Sequence, residues 1–431
     1  MFKGLHVAIL AGLALFSGSS ASALPPTEAE KWQDDIEVYR HTLEQRHINL
    51  YHSVGKHDFQ GALQVLKEDL PRLTEDQVMV ELMRISRLVG DGHTRVPFWS
   101  TDHQHYPLLF QFMDGELRLL RTGPEHRRLL GRKLVAVGEM PTAEVVEKLE
   151  PVVQTVENEY SLRSHLPYHL NVADILAGLG IVDDPASATF TLEDERGQRE
   201  MVTLEAISCS DYRESVTVRY AEQIVPFGEK LVTESEYLWL TADEERRVAY
   251  VYFARYPSFS DMGSFAEDVR EYLDDHRIRN LVIDLRDNTG GDFFVGLRFA
   301  HQMILVDGLD WDGGIYTLIG NATFSAGMSN AAHFREMFNA TLVGEPTGGN
   351  PVGYQDMDSF TLPNSGIEVN YSKRLYRFQD QASQGIQPDV LIPTRWADYR
   401  VGRDAVLDWV LEDITARYSG SVDKAAEVTA Q

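Results

Sequence analysis

Two short, continuous apolar runs in the second half of the chain constrain its fold most strongly. Residues 248–253 and 281–285 are almost entirely apolar, whereas residues 265–273 and 293–304 have the apolar spacing of helices. Strands without alternating polar residues are typical of a sheet that is covered on both faces. The alternation of such strands with helices predicts an α/β core, which we assign to residues 237–418.

The region before this core begins with helices. Residues 24–100 contain two capping-box patterns, Thr27-x-x-Glu30 and Thr74-x-x-Gln77, each followed by apolar residues at helical spacing. Gly90 comes directly after the third apolar stripe, where a glycine commonly ends a helix. We therefore predict an N-terminal helical region over residues 24–100.

Short alternating segments separated by turn residues follow. They predict a β-rich module over residues 101–236, with one inserted helix at 142–149. Residues 129–138 together with this helix resemble a degenerate PDZ-like segment, which in other proteins binds extended peptides by strand addition. A structural role without peptide binding is the alternative. The small polar residues 419–431 predict a frayed tail.

The first 23 residues have the features of a secretory signal. Lys3 supplies the positive charge, residues 7–16 form the apolar segment, and Ala21-Ser22-Ala23 resembles a cleavage site. Ten apolar residues span only about half of a bilayer core, which favours a cleaved signal over a stable membrane anchor. We expect cleavage after Ala23 and a periplasmic or secreted protein.

Charge and cysteine content exclude several classes of function. The 40 basic and 66 acidic residues give a net charge of −26, which argues against binding to nucleic acid or to anionic membranes. The single cysteine, Cys209, cannot form an internal disulfide or a four-cysteine zinc site. Cys209 also lies outside the stretches that carry chemistry, which disfavours a cysteine protease.

Candidate catalytic residues concentrate in three short stretches. His93 lies in a glycine-rich turn, Gly290 and Gly291 follow the buried run at 281–285, and Ser325 precedes a predicted helix. A reachable histidine suits a general base. Paired glycines and a helix N-terminus can direct N–H groups at an oxyanion. Each stretch taken alone also fits an ordinary turn or helix cap.

In combination, the motifs resemble the tail-specific, or carboxy-terminal processing, serine peptidase family, over residues 41–392. The matching motifs are D-G-H-T at 91–94, V-I-D-L-R-D-N-T-G-G-D at 282–292, F-S-A-G at 324–327, V-G-E-P-T-G-G at 343–349, L-P-N-S-G at 362–366 and Q-G-I-Q-P-D-V at 384–390. The resemblance implies a crotonase/caseinolytic-peptidase-like α/β core and protein or peptide substrates, with no cofactor and no metal. It makes Ser325 the nucleophile and places the oxyanion at the N–H groups of Gly290 or Gly291 and of Ala326.

The base that activates Ser325 can be inferred from the lysines. In the carboxy-terminal processing members the base is the lysine of a T-x-G-K segment. The matching stretch here is Thr347-Gly-Gly-Asn350, which ends in asparagine instead of lysine. Beyond Ser325 the only lysines are Lys373 and Lys424, and neither stands in the expected place. The tricorn-like branch uses a histidine instead, which His93 matches.

The sequence does not decide which residue orients His93. The tricorn-like pattern has a serine directly before the histidine, where this chain has Gly92, and a glutamate at a position near residues 381–384, which contain no carboxylate. The remaining candidate orienting residues are Asp91, Glu345, Asp380 and Ser383.

The sequence thus predicts an exported serine endopeptidase, and two other classes compete with it. The incomplete orienting set favours a family member without turnover that binds peptides or lipophilic ligands. A metallohydrolase would need a zinc site made by His93, His103 and His105, but the chain has no H-E-x-x-H motif.

Overall fold

The computed structural model describes residues 23–101 and 103–429. The predicted secretion signal, except for Ala23, and the last two residues of the predicted tail lie outside these ranges. Within them, no helix has the length and apolarity needed to cross a bilayer.

Three helices form the N-terminal region, as predicted: α1 (Pro26–Arg46), α2 (Lys56–Asp69) and α3 (Glu75–Leu88). The capping box that opens α3 is confirmed, since Thr74 and Gln77 each accept a hydrogen bond from the other's backbone N–H. The capping box at Thr27 is wrong. Helix α1 begins at Pro26, two residues earlier than that box predicts, because the fixed φ of Pro26 suits the first helical position.

The middle of the chain forms an antiparallel sheet with helices inserted between its strands. The sheet order is β2-β3-β4-β6-β7, and the predicted helix at 142–149 is confirmed as α4. The elements are β1 (Gln104–His105), β2 (Leu108–Met113), β3 (Glu116–Thr122), β4 (Lys133–Val137), β5 (Met140–Pro141), α4 (Thr142–Leu149), α5 (Glu159–Leu170), α6 (Ala173–Gly178), β6 (Ser187–Glu193), β7 (Arg199–Glu205), β8 (Ile207–Ser208), α7 (Cys209–Ser215) and β9 (Val218–Arg219). Buried side chains of this module and of α1–α3 belong to one continuous hydrophobic core, so the two regions pack as one unit.

The predicted α/β core is confirmed. A seven-stranded sheet has the order β10-β11-β12-β13-β14-β15-β18, and the strands from β12 onward are parallel. Its elements are β10 (Val232–Ser235), β11 (Leu238–Asp243), β12 (Val248–Phe253), α8 (Phe259–Asp275), β13 (Asn280–Asp284), α9 (Phe293–Met303), β14 (Ile315–Ile319), α10 (Ala326–Phe338), β15 (Thr341–Gly344), β16 (Val352–Thr361), β17 (Glu368–Arg377), β18 (Val390–Leu391), α11 (Trp396–Tyr399) and α12 (Ala405–Thr429).

Both faces of this sheet are covered, which explains the continuous apolar runs in its strands. Leu281 and Ile283 of β13 belong to the core that includes buried side chains of α8, α9 and α10. Val282, between them, faces the other side, where its core includes Val410 and Ile414 of α12. Because α12 continues to Thr429, the segment 419–429 is helical rather than the predicted frayed tail. Alanine, lysine and glutamate in this segment are strong helix formers.

The hairpin β16–β17 connects the α/β core to the N-terminal unit. Val369 and Tyr371 of β17 are part of the N-terminal hydrophobic core. Arg95 and Asn370 form a backbone bridge and also a side-chain hydrogen bond of 3.0 Å. This hairpin therefore holds the turn that contains His93 against the core that carries Ser325.

Candidate active site

Ser325 lies between the end of β14 and the first residue of α10. Its φ of +49° and ψ of −122° are unusual for a residue with a side chain, and such strain concentrates at functional sites. A serine before a helix normally caps it, but the Ser325 side chain makes no capping bond. Instead, Oγ lies 2.9 Å from Nε2 of His93.

The glycines around His93 allow its turn to approach Ser325 closely. Gly90 has a φ of +82°, and a Cβ at Gly92 would lie 2.7 Å from the Phe324 ring and 2.9 Å from Cγ of Glu157. A serine at position 92, as in the tricorn-like pattern, would therefore clash. Without that side chain, the His93 ring stacks on Phe324 at a centroid distance of 5.3 Å.

Asp91 fixes the backbone of this turn. Its Oδ1 accepts hydrogen bonds from the N–H groups of His93 and Thr94 and from the Ser372 hydroxyl, at 3.0, 2.7 and 2.7 Å. Its Oδ2 accepts one from His47 Nε2 at 3.0 Å, and His52 Nε2 lies 3.5 Å away. Burial would raise the pKa of Asp91, but the bonds from His47, His52 and Ser372 hold that pKa well below its usual range.

Glu157 faces the other nitrogen of the His93 ring. Its Oε1 lies 3.2 Å from His93 Nδ1, and both side chains are buried, with 4% and 6% of their surface exposed. Among the described residues neither atom has another hydrogen-bond partner. The contact lies off the ideal hydrogen-bond line, as is common at a catalytic pair without substrate. The His93 ring therefore connects Ser325, through Nε2, with Glu157, through Nδ1.

Asn350 holds Glu157 in place. Its backbone N–H donates to Glu157 Oε2 at 2.7 Å, and its side-chain amide donates to the Glu157 carbonyl at 3.1 Å. Asn158, the N-terminal cap of α5, donates to the Asn350 amide oxygen at 2.8 Å. Asn350 stands where the resembled carboxy-terminal processing peptidases have a lysine. In this chain it positions the Glu157 carboxylate instead.

One part of the sequence is similar to a known protein family. Residues 301–392, which contain Ser325 and Asn350, match the model of peptidase family S41. The chain therefore resembles this peptidase family over that stretch. Among curated proteins, none matches the sequence significantly.

Solved structures show the same fold over nearly the whole chain. Mature CPAF complexed with lactacystin is 12% identical, with 90% of this chain and 98% of that chain covered and a TM-score of 0.63. Mature CPAF alone is 12% identical, with coverages of 89% and 96% and a TM-score of 0.61. At this identity the likeness establishes the fold alone.

The paired glycines lie close to the serine. A Cβ at Gly290 would lie 2.6 Å from Cβ of Ser325, so only glycine fits there. The N–H of Gly290 donates to the Asn288 side chain at 3.0 Å. In the described part of the chain, the N–H groups of Gly291 and Ala326 have no acceptor. Of the two predicted glycine donors, Gly291 is the one that is free.

The predicted orienting residues do not contact the His93 ring, whose two nitrogens face Ser325 and Glu157. Asp91 reaches only the His93 backbone. Glu345 accepts a bond from Thr394, Ser383 donates to the Gly385 carbonyl, and Asp380 is exposed. All four lie in or near the sequence motifs, whereas Glu157 lies in the β-rich module and outside every motif. Its only signal in the sequence is a carboxylate directly before Asn158, the N-terminal cap of α5.

The alternative bases are not at the site. Lys373 lies in β17, 3.8 Å from Asp356, and Lys424 lies within α12. His93 also does not join His103 and His105, because its Nε2 faces Ser325. The three-histidine zinc site considered from the sequence is therefore wrong.

Proposed function

We propose that this chain belongs to the S41 peptidase family and is an exported peptidase that hydrolyses peptide bonds through an acyl-enzyme on Ser325, with His93 as general base. Glu157 is the residue that orients His93. The observation that carries this proposal is the pair of contacts of one imidazole, 2.9 Å to Ser325 Oγ and 3.2 Å to Glu157 Oε1.

The geometry suits nucleophilic catalysis by serine. His93 Nε2 accepts the Ser325 proton as Oγ attacks the carbonyl carbon of the scissile bond, and the same nitrogen then protonates the leaving amine. Water repeats these two steps on the acyl-enzyme. The unpaired N–H groups of Gly291 and Ala326 are the donors for the developing oxyanion.

The buried Glu157 carboxylate gives His93 the tautomer that this reaction needs. A proton on Nδ1 facing Glu157 leaves the lone pair on Nε2, facing Ser325. The same carboxylate stabilises the imidazolium that forms when Nε2 takes the serine proton. This removes the main reason for preferring a binding protein without turnover, which was the lack of an orienting group.

Export rests on the N-terminal segment. Lys3, the apolar residues 7–16 and the small residues 21–23 are the features of a secretion signal. The test is the amino-terminal sequence and cell fraction of the expressed protein. Leu24 as the first residue in the periplasm or medium is expected, whereas retention of Met1 in the cytoplasm contradicts export.

Activity is tested on an unfolded protein such as casein. The wild-type chain is expected to generate new amino termini steadily, and His93→Gln is expected to lose this activity by about 10³-fold or more. His41→Gln, a change on the exposed side of α1, is the matched control and should retain activity. Equal turnover by His93→Gln, or none by the wild type, contradicts the proposal.

A further inference from the structure

A second group of metal-binding side chains lies outside the catalytic site. His103, His105 and Cys209 place one imidazole nitrogen or sulfur each within 4.8 Å of one another. His103 and His105 are buried, and Cys209 is partly exposed and unpaired. None of the three contacts Ser325, His93 or Glu157 in the described structure.

The register of two short strands brings the group together. In the antiparallel pair β1–β8, His105 lies opposite Ile207 and Gln104 opposite Ser208. The same register continued by one residue places His103 opposite Cys209. Since residues two apart in a strand point to the same face, both histidines lie on the side that Cys209 reaches.

Both imidazoles are held in the tautomer that leaves Nε2 free to bind a metal. His103 Nδ1 lies 2.8 Å from the Thr101 carbonyl, which can only accept, so Nδ1 carries the proton. His105 Nδ1 lies 3.4 Å from the Asn171 amide oxygen. The Asn171 amide nitrogen donates to the Leu108 carbonyl and to the Tyr212 hydroxyl, at 2.9 and 2.8 Å, which fixes its orientation. Such Nδ1–H bonds to oxygen are the usual outer-shell contacts of metal-binding histidines.

Aromatic neighbours also hold the two rings in place. The His105 ring stacks on Tyr212 at 4.5 Å, and the His103 ring lies edge-on to Phe98 at 5.3 Å.

We propose that His103, His105 and Cys209 form a binding site for a thiolate-preferring transition metal ion, with Zn²⁺ as the defining probe. Two imidazoles and one thiolate are a ligand set that zinc accepts. Ligands of tetrahedral zinc lie about 3.3–3.7 Å apart, so side-chain movements of about 1 Å close the group. The bound ion links β1 to the start of α7, and this role is independent of the peptidase mechanism.

The other histidine–carboxylate group, His47, His52 and Asp91, does not support a second metal site. His47 Nδ1 accepts the Asn49 N–H, so its Nε2 carries the proton that bonds Asp91. Both Asp91 oxygens are also occupied by other donors. This group serves as the negative comparison for the experiment.

The experiment uses the reactivity of the single thiol. Whole protein, reduced with a non-chelating reductant, is dialysed against Zn²⁺, its metal content is measured, and Cys209 is titrated with a thiol reagent with and without zinc. We expect one zinc per chain and a thiol reaction slowed at least about tenfold by zinc. His105→Gln and His103→Gln should remove this protection, whereas His57→Gln, an exposed histidine, should leave it unchanged.

A second measurement distinguishes loss of a metal ligand from misfolding of the variant. Co²⁺ in the wild-type protein is expected to give a sulfur-to-metal charge-transfer band, and Cys209→Ser should lose that band while retaining its far-ultraviolet circular dichroism. Wild-type protein that retains no zinc overturns the proposal. Zinc retained equally by Cys209→Ser, or lost through His52→Gln but not through His105→Gln, overturns it as well.

Discussion

Two buried histidine–carboxylate pairs meet at one turn, because Asp91 of the first pair is two residues before His93 of the second. We assign opposite roles to the two pairs. His93 faces Glu157 and His47 faces Asp91, and the carboxylate side chain is 4% exposed in both pairs. The far nitrogen of His47 accepts the backbone N–H of Asn49, whereas the far nitrogen of His93 faces the hydroxyl of Ser325. The same chemical pair is therefore a scaffold where its second nitrogen is occupied and a candidate base where that nitrogen meets a nucleophile.

The carboxylates differ in the same way. Asp91 accepts bonds from the backbone of residues 93 and 94 and from Thr94, Ser372 and His47. Glu157 has one backbone donor, that of Asn350, besides His93. We therefore expect changes at Glu157 to affect turnover and changes at Asp91 to affect stability.

The largest effect is expected for Ser325→Ala. Loss of the nucleophile should reduce kcat by about 10⁵-fold or more. Stability should change by less than about 0.5 kcal/mol, because the Ser325 hydroxyl caps no helix. The measurements are peptide hydrolysis and urea unfolding.

Ser258→Ala is the matched control for that change, since Ser258 caps α8 through the Asp261 N–H. It should cost about 1 kcal/mol of stability and leave kcat unchanged. Turnover by Ser325→Ala within tenfold of the wild type would show that another residue is the nucleophile.

The next largest effect is expected for Glu157→Gln. Gln keeps the shape of the side chain but removes the charge that favours the imidazolium, so kcat should fall about 10³-fold. The urea midpoint should move little. Steady-state kinetics on the folded variant measures the effect, and a loss below about threefold would mean that Glu157 does not orient His93.

Asp91→Asn should show the reverse pattern. An amide in place of this buried carboxylate leaves several donors without a charged acceptor, which should cost about 2–4 kcal/mol of stability. Because His93 keeps Glu157 and Ser325, kcat per folded molecule should fall by only about tenfold. Urea unfolding and active-site titration separate the two quantities. A large loss of kcat at unchanged stability would assign Asp91 to the catalytic group.

The smallest effect concerns pH. The pKa of Asp91 lies well below its usual range in the folded protein, so its stabilisation is present above the unfolded pKa of about 3.9 and is lost as pH falls further. The stability difference between wild type and Asp91→Asn should therefore be constant from pH 7 to 5. Below pH 4 it should shrink by up to about 1.4 kcal/mol per pH unit. A difference that already shrinks between pH 7 and 5 would point to the histidines instead.

The α/β core could be predicted because its strands are buried on both faces, which leaves continuous apolar runs in the sequence. Ser325, His93 and the glycines could be proposed because the motifs around them together resemble those of a serine peptidase family, whereas each stretch alone also fits an ordinary turn or helix cap. Glu157 could not, because it reaches His93 only after α5 packs against the loop around Asn350, a contact between residues 193 positions apart. The metal-binding group also depends on pairing between distant strands, β1 and β8.

The central claim, that Ser325 is activated by His93 and Glu157, is tested most directly by covalent labelling with a fluorophosphonate and mapping of the adduct by mass spectrometry. The wild-type protein should carry one adduct, on Ser325, with labelling slowed about 10²-fold or more in His93→Gln and clearly slowed in Glu157→Gln. Asp91→Asn, once corrected for its folded fraction, should label within about tenfold of the wild-type rate. An adduct on another serine, or equal labelling rates in wild type and His93→Gln, would contradict the account.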